Sequence, residues 1–162
     1  MHTLTTARLT LRPAHVEDLP TLRAIITADG VAEWWGEYEG SEDDDELVSG
    51  YVIVQNDQTI GWIGCDEVSD PKYPSVGLDI VLGPAHQGQG YGPEALRAVI
   101  DLYAAKGHHR FTIDPSAANA RAIRAYEKAG FRPIGIARRY EQLTAGNWSD
   151  GLLMDLIVGD LA

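Results

Sequence analysis

The chain has 162 residues, of which 44% are hydrophobic, and its 13 basic and 24 acidic residues give a formal net charge of −11. This length predicts a single domain over residues 1–162 with a sizeable core, and the charge argues against nucleic acid and anionic membranes and favours cationic partners. The single cysteine, Cys65, excludes an internal disulfide, and the sequence contains neither an apolar leader nor an apolar run of membrane length, so we expect a cytoplasmic protein.

The first part of the chain predicts one strand, then two helices, then two more strands. Strands are expected at residues 8–13, 49–55 and 59–68, and helices at 16–30 and 31–36. Asp18 is a suitable N-cap for the first helix, and Gly30 follows its end. Seven of the ten residues from Glu37 to Glu46 are acidic, and this run has no apolar period, so we predict a loop. Asn56 and Asp57 predict a tight hairpin between the last two strands.

The second part predicts two helices among four more strands. The strands are expected at 76–82, 109–114, 132–143 and 148–159, and the helices at 93–107 and 116–131. About seven strands and about four helices, with hairpins mixed among strand–helix–strand units, indicate a mixed α/β (α+β) sheet in one domain.

A glycine-rich segment, QGQGYG at residues 87–92, follows a predicted strand and precedes a predicted helix. Glycine at 88, 90 and 92 lets backbone N–H groups converge at the positive end of a helix, which suits a pyrophosphate. The alternative is a glycine turn without a ligand. The segment has no Gly-Lys-Ser/Thr, so it is not a P-loop, and Pro93 breaks the dinucleotide-binding spacing.

Several motifs resemble the GNAT superfamily of acyl-CoA-dependent N-acyltransferases. Gln87, Gly90 and Gly92 match its Q/R-x-x-G-x-G/A loop, and DPSAANARAIRAYEKAGF at 114–131 is similar to its Tyr-Glu-Lys-x-Gly-Phe helix. With GLD at 77–79 and EWWG at 33–36, the sequence is most similar to the aminoglycoside 6'-N-acetyltransferases of that superfamily. RLTLRP near the start and the ending ARRYEQLTAGNWSDGLLMDLI also resemble the ribosomal-protein N-acetyltransferase branch.

The resemblance implies a GNAT-like domain with a central, mostly antiparallel twisted sheet, and acetyl-CoA as co-substrate without a metal. The residues that would contact acetyl-CoA are Ile80, Val81, Leu82, Gln87, Gly88, Gln89, Gly90, Tyr91, Gly92, Asn119 and Tyr126. Backbone N–H groups of residues 80–82 would polarise the thioester carbonyl. Asn119 would bind the pantetheine arm, and a local helix cap is its alternative role.

Two residues are the candidate catalytic groups. Tyr126, which the resemblance places beside the coenzyme sulfur, could protonate the leaving thiolate, since the reference pKa values of ~10 and ~8.5 lie within reach of each other. Its alternative role is packing in the core. Asp79 could anchor the acceptor's ammonium group or accept its proton through water, although an ordinary pKa of ~3.9 makes it a weak base unless burial raises that value. An exposed strand position is the alternative for Asp79.

The expected acceptor is a cationic small molecule, an aminoglycoside, held by Glu33, Trp34, Trp35, Asp79 and Asp114. One of the two tryptophans would stack on a sugar ring, and carboxylates would attract the ammonium groups. Asp114 ends a strand, where ligands gather in open α/β sheets, but it could instead cap the next helix.

Other acceptors and one non-enzymatic function remain open. A protein N-terminus or lysine would fit the ribosomal-protein branch, and a siderophore precursor is a third acceptor. A degenerate acetyl-CoA sensor is the non-enzymatic alternative. We expect a monomer or a homodimer.

Overall fold

The computed structural model describes residues 1–38 and 40–161, with the side chains of these residues except those at 41–43 and 161. The strands are β1 (Leu4–Thr5), β2 (Thr10–Pro13), β3 (Tyr51–Gln55), β4 (Gln58–Val68), β5 (Ser75–Leu82), β6 (Arg110–Ile113), β7 (Arg132–Thr144) and β8 (Asn147–Ile157). The helices are α1 (Leu19–Ile26), α2 (Ala32–Trp35), α3 (Ser41–Ser49), α4 (Tyr91–Ala105) and α5 (Ala120–Ala129). None of these helices is long and apolar enough to cross a bilayer.

The eight strands form one sheet in the order β1-β2-β3-β4-β5-β6-β8-β7. Every neighbouring pair is antiparallel except β5 and β6, which run parallel. The predicted class, a mixed and mostly antiparallel sheet, is therefore confirmed, with one strand and one helix more than expected. The extra strand, β1, pairs Leu4 with Leu11 and is too short to leave an alternating pattern in the sequence.

The prediction that the acidic run forms a loop is wrong, because most of it lies in α3. Only the end of this helix is apolar: Leu47 is fully buried, and its carbonyl oxygen accepts the indole N–H of Trp62 at 2.8 Å. One buried turn is too short to show a helical period.

Two hydrophobic cores lie on opposite faces of the sheet. The larger one packs α4 and α5 against one face, around residues such as Phe111 and Leu96, and the smaller one packs α1 to α3 around Trp62 on the other face. The predicted hairpin between β3 and β4 is confirmed. Asn56 and Asp57 both have positive φ, +48° and +63°, which the tightest two-residue hairpin turns require.

The sheet opens between its two parallel strands. β5 and β6 pair only at Val76 with Phe111 and at Gly77 with Thr112, and β5 then continues to Leu82. Beyond Gly77, the edge of β5 that faces away from β4 therefore borders a gap. The carboxyl ends of the two strands lie at this gap, which is where ligands gather in open α/β sheets.

Candidate functional site

A cavity of about 1060 Å³ occupies the gap between β5 and β6. Its walls contain every predicted site residue except Gln89 and Tyr91. Along β5, Asp79 and Val81 belong to the face that carries α1 to α3, whereas Ile80 and Leu82 pack against the core beneath α4 and α5. The cavity therefore reaches both faces of the sheet, and its size exceeds that of most single-ligand pockets.

Gln89 and Tyr91 support the glycine loop from outside the cavity. The Gln89 side chain donates to the carbonyl of Ala85 at 2.9 Å, and Tyr91 is buried in the core. Arg8 connects the two, since its Nη1 donates to the Gln89 carbonyl at 2.9 Å and its guanidinium lies 4.5 Å from the centre of the Tyr91 ring. Contact of these two side chains with acetyl-CoA remains a prediction, and neither residue lines the cavity.

The glycine loop has a backbone that needs glycine at two positions. Gly88 and Gly90 have φ of +74° and +82°, where a side chain is strained, and Gly90 immediately precedes the 15-residue helix α4. The positive end of α4 therefore points at a loop whose backbone can approach a ligand closely. This geometry fits the pyrophosphate of acetyl-CoA, because helix N-termini with free N–H groups bind phosphates.

Gln87 joins the loop to two neighbouring elements through its side chain. Its Nε2 donates to the carbonyl of Leu82 at 3.0 Å, and its Oε1 accepts from Arg121 Nη1 at 2.8 Å. Because both ends of the amide are already paired, we assign Gln87 to holding the loop against β5 and α5.

A group of basic residues on α5 was missed by the sequence analysis. Arg121, Arg124 and Lys128 all line the cavity, and their spacing of three and four residues places them on one side of the helix. The spacing of these residues is visible in the sequence, but the sequence does not show that the glycine loop lies opposite α5. In a chain of net charge −11, these residues give the side of the cavity beside the glycine loop a local positive charge that would suit phosphate groups.

The backbone of β5 provides N–H groups at the gap. Gly83 N–H donates to the Ile60 carbonyl at 2.8 Å, and the bonding direction alternates along an antiparallel pair. The N–H groups of Ile80 and Leu82 therefore point away from β4 into the gap, whereas that of Val81 points at β4. Of the three residues expected to polarise the thioester carbonyl, Ile80 and Leu82 have the required orientation.

The side chain of Asp79 is exposed to solvent, as the alternative expectation had it, and its carboxyl lies within the cavity close to the atoms of the cavity walls. Crowding by these protein atoms, followed by the nearby carboxylates of Glu46, Asp114 and Glu141, raises the pKa of Asp79 to about 7. The backbone N–H of Ile80 opposes the shift by stabilising the ionised form. The raised pKa gives Asp79 the proton affinity of a general base that acts near neutral pH.

Tyr126 extends from α5 into the cavity with its ring edge-on to Phe131, at a centroid distance of 6.5 Å. Burial raises the pKa of the phenol above its ordinary value of 10.0, and the negative charges of Asp79 and Asp114 raise it further. The hydroxyl therefore stays protonated, as a hydrogen-bond donor to a leaving thiolate must be.

Both Asn119 and Asp114 had a helix cap as an alternative role, and only Asn119 caps α5. The Asn119 side-chain oxygen accepts from the N–H of Ala122 at 3.2 Å, so Asn119 is the N-cap of α5 as well as a cavity residue. The alternative prediction that Asp114 caps this helix is wrong. Its Oδ2 instead accepts the hydroxyl of Tyr140, at 2.5 Å, from a strand distant in sequence.

The two adjacent tryptophans differ in what surrounds them. Both line the cavity, but Trp35 also packs edge-on against the buried Trp62, with ring centroids 5.9 Å apart. Trp34 is not part of that core, which makes it the better candidate for stacking on a sugar ring.

Among the described side chains of the acidic run, some line the cavity and others pair elsewhere. Glu37 and Glu46 line it together with Glu33, whereas Asp44 pairs with Arg23 at 2.5 Å and with the Tyr38 hydroxyl. Glu39 and the side chains of Glu42 and Asp43 lie outside the described residues. Glu141 of β7 is a further cavity carboxylate, which the sequence analysis missed.

Within the described part of the chain, no group of three His, Cys, Asp or Glu side chains is placed to hold a metal ion. His108 instead pairs with Glu67 at 2.6 Å.

Comparisons with known proteins agree with this geometry. Residues 8–132 match the acetyltransferase (GNAT) domain family. Aminoglycoside N(6')-acetyltransferase type 1 of Klebsiella pneumoniae is 31% identical over 153 residues, covering 78% of this chain and 75% of its own length. The ribosomal protein bS18-alanine N-acetyltransferase of Escherichia coli K12 is 28% identical over 122 residues, covering 75% of this chain and 80% of its own length.

A solved structure shares the fold. AAC(6')-Ib in complex with paromomycin and acetyl-CoA has a TM-score of 0.76 and 24% identity, covering 95% of this chain and 96% of its own. Its identity is too low to carry its ligands over to this chain. Since the matched domain spans most of the sequence, the chain belongs to the GNAT acetyltransferase family.

Proposed function

We propose that this acetyltransferase transfers the acetyl group of acetyl-CoA to the 6'-amine of an aminoglycoside, and so confers resistance to the antibiotic. The distribution of charge within one cavity is the observation that supports a polycationic acceptor most directly. Carboxylates come from α2, the segment between α2 and α3, α3, β5, the residue after β6, and β7, whereas the basic side chains come from α5. The acidic cavity residues are Glu33, Glu37, Glu46, Asp79, Asp114 and Glu141. A cation and an anionic coenzyme would therefore enter from different sides and meet at the gap in the sheet.

The proposed reaction uses groups that the cavity already contains. The amine attacks the thioester carbonyl, so a C–N bond forms and the C–S bond breaks. The N–H groups of Ile80 and Leu82 would stabilise the charge that develops on the carbonyl oxygen. Asp79 would take the amine proton through water, and Tyr126 would donate its hydroxyl proton to the departing sulfur.

Direct attack in a ternary complex is favoured over transfer through an acetylated enzyme. The single cysteine, Cys65, does not line the main cavity, and burial raises the pKa of its thiol to about 12. Such a thiol is rarely ionised near neutral pH, so it is a poor nucleophile.

The deciding experiment measures thiol release from acetyl-CoA with kanamycin, a basic peptide with a free N-terminus, or N-hydroxylysine as acceptor. We expect kanamycin to give the highest kcat/KM, with mass spectrometry and NMR showing one acetyl group on its 6'-amine. Expression in a susceptible host should raise the inhibitory concentration of kanamycin. Turnover of the peptide or N-hydroxylysine alone would overturn the aminoglycoside assignment, and binding of acetyl-CoA without turnover would indicate a sensor.

Acetylation of a protein N-terminus is the second candidate, and one structural feature favours it. A second cavity, of about 630 Å³, shares Asp79, Asp114 and Tyr140 with the first and continues over the sheet beside Gly64 and Gly77. An extended peptide could lie in this groove with its terminal amine at Asp79. The peptide arm of the experiment above tests this alternative directly.

A further inference from the structure

Tyr140 reaches the cavity because β7 is irregular at this point. The pairing with β8 shifts between Ala137 and Glu141, and Arg139 has a φ of +48°. Its N–H donates to Asp150 Oδ1 at 2.8 Å, which stabilises this uncommon backbone conformation for a residue other than glycine. Such bulges turn side chains away from the regular alternation of a strand, and they are frequent beside active sites.

The Tyr140 ring fits against β8 only because residue 151 is glycine. A Cβ at Gly151 would lie 3.1 Å from Cγ of the ring, a tight contact, and 2.5 Å from Cδ1, which is closer than carbon atoms approach one another. The position of the Tyr140 ring therefore depends both on the bulge in β7 at Arg139 and on the absence of a side chain at Gly151.

Asp114 is fixed to the same part of β8 through the residues that follow it. The N–H of Ala117 donates to the Asp150 carbonyl at 2.8 Å, and the N–H of Leu152 donates to the Pro115 carbonyl at 2.9 Å. These bonds lie on either side of Gly151. The same part of β8 therefore holds both the Tyr140 ring and the segment that carries Asp114. The hydroxyl of Tyr140 then closes the arrangement by donating to Asp114 Oδ2 at 2.5 Å.

We propose that Tyr140 is a positioning residue that holds Asp114 in the orientation in which its second oxygen, Oδ1, receives an ammonium group of the acceptor. This inference rests on the proposed function, because it assumes a cationic acceptor. Tyr140 lines both cavities, so the same side chain also borders the passage from the reaction centre to the sheet groove. The pKa of its phenol is raised to about 12, mainly by the hydrogen bond to Asp114, so the hydroxyl remains a donor over the working pH range.

The first test detects the pair without any acceptor. In protein labelled with 13C at tyrosine Cζ, the Tyr140 resonance is assigned by its loss in Tyr140→Phe. Because a phenol that donates to a carboxylate has altered electron density at Cζ, Asp114→Asn should shift this resonance by more than any other tyrosine resonance. An unchanged Tyr140 resonance in Asp114→Asn would show that the pair does not form in solution and would overturn the inference.

The second test measures whether Tyr140 acts through Asp114. A hydrogen bond to a charged group is worth roughly a factor of ten, so Tyr140→Phe should raise the acceptor KM about tenfold. The KM for acetyl-CoA should stay constant, and kcat should change by less than about threefold. In the Asp114→Asn background, Tyr140→Phe should add nothing further, because the partner is already altered.

Glycine substitutions provide a matched control. Gly151→Ala should displace the ring and raise the acceptor KM as Tyr140→Phe does, whereas Gly135→Ala in the same hairpin meets no atom within 4 Å and should have no effect. Additive effects of Tyr140→Phe and Asp114→Asn on an amine that is acetylated would overturn only the role of Tyr140. Failure to acetylate any of the tested amines would overturn the proposed function, and the Cζ resonance would still report on the pair.

Discussion

The carboxylate of Asp79 raises the pKa of the Tyr126 phenol, although the two side chains come from β5 and α5. The carboxylate of Asp114 raises both pKa values, so a charge that strengthens proton binding by the proposed base also makes the proposed acid hold its proton more tightly. A cationic acceptor placed beside Asp79 would offset this negative field. The phenol would then become a better proton donor when the acceptor is bound, so that binding and catalysis would be coupled through charge.

Replacing Tyr126 by phenylalanine should lower kcat with little change in either KM, because the ring still packs while the proton donor is lost. General acid catalysis is typically worth ~10²-fold or more. Steady-state rates of thiol release provide the measurement. Tyr103→Phe is the matched control, since Tyr103 is a half-buried tyrosine of α4 that lies outside the cavity walls. A kcat within twofold of wild type in Tyr126→Phe would assign Tyr126 to packing alone.

The raised pKa of Asp79 predicts how stability depends on pH. With a pKa of about 7 in the folded chain and an ordinary value of 3.8 when unfolded, Asp79 holds its proton more tightly in the folded state. Between about pH 4 and 7, its contribution to the free energy of unfolding therefore decreases as pH rises.

Asp79→Asn removes this contribution, so its stability relative to wild type should increase from about pH 4 to 7 and then level off. Urea unfolding of the variant and of wild type at several pH values measures the difference. A difference that does not change with pH would show that Asp79 titrates at its ordinary pKa.

The glycine loop should tolerate no acidic side chain at residue 90. Gly90→Asp places a side chain at positive φ and a negative charge beside the proposed pyrophosphate site, so acetyl-CoA affinity by calorimetry should fall about tenfold or more. Gly146→Asp carries the same strain, at a φ of +79° in the turn between β7 and β8, and should bind acetyl-CoA normally. Equal affinities in the two variants would remove the loop from the coenzyme site.

Salt should weaken acceptor binding through the acidic walls. Exposed charges are screened over ~10 Å at 0.1 M salt, so the KM for kanamycin should rise between about 25 and 400 mM salt. Asp79→Asn should raise this KM more than Asp45→Asn does, because Asp45 is exposed on α3 and is not among the cavity walls. A kanamycin KM that is independent of salt would argue for a less cationic acceptor.

Substitutions of Trp34 and Trp35 should have different effects, one on acceptor binding and the other on stability. Trp34→Ala should raise the acceptor KM with little loss of stability, because Trp34 lines the cavity outside the core around Trp62. Trp35→Ala removes an edge-on contact with Trp62 and should cost about 2–3 kcal/mol in unfolding free energy, below the ~3–5 kcal/mol typical of fully buried aromatics. Equal effects of both variants on KM and on stability would contradict this division.

Short-range patterns account for what could be predicted from the sequence. Asn56 and Asp57 predict a hairpin, and Gly88 and Gly90 predict a glycine turn before a helix, because each depends on the backbone preferences of a few adjacent residues. The loop prediction for the acidic run was wrong because it also relied on adjacent residues alone. The residues that make α3 a helix include Leu47, which is held by Trp62 from a distant strand, and that contact has no local signal.

The sequence by itself determined the mixed sheet, the glycine loop, and the types of residue that an amine acetyltransferase needs. Only the tertiary structure decided which of them meet. The separation of β5 from β6 brings Asp79 and Tyr126 into one cavity from opposite faces of the sheet, and the bulge in β7 joins Tyr140 to Asp114. Strand separation and register shifts depend on how segments distant in sequence pack against one another. Local propensity describes each segment alone and so does not predict them.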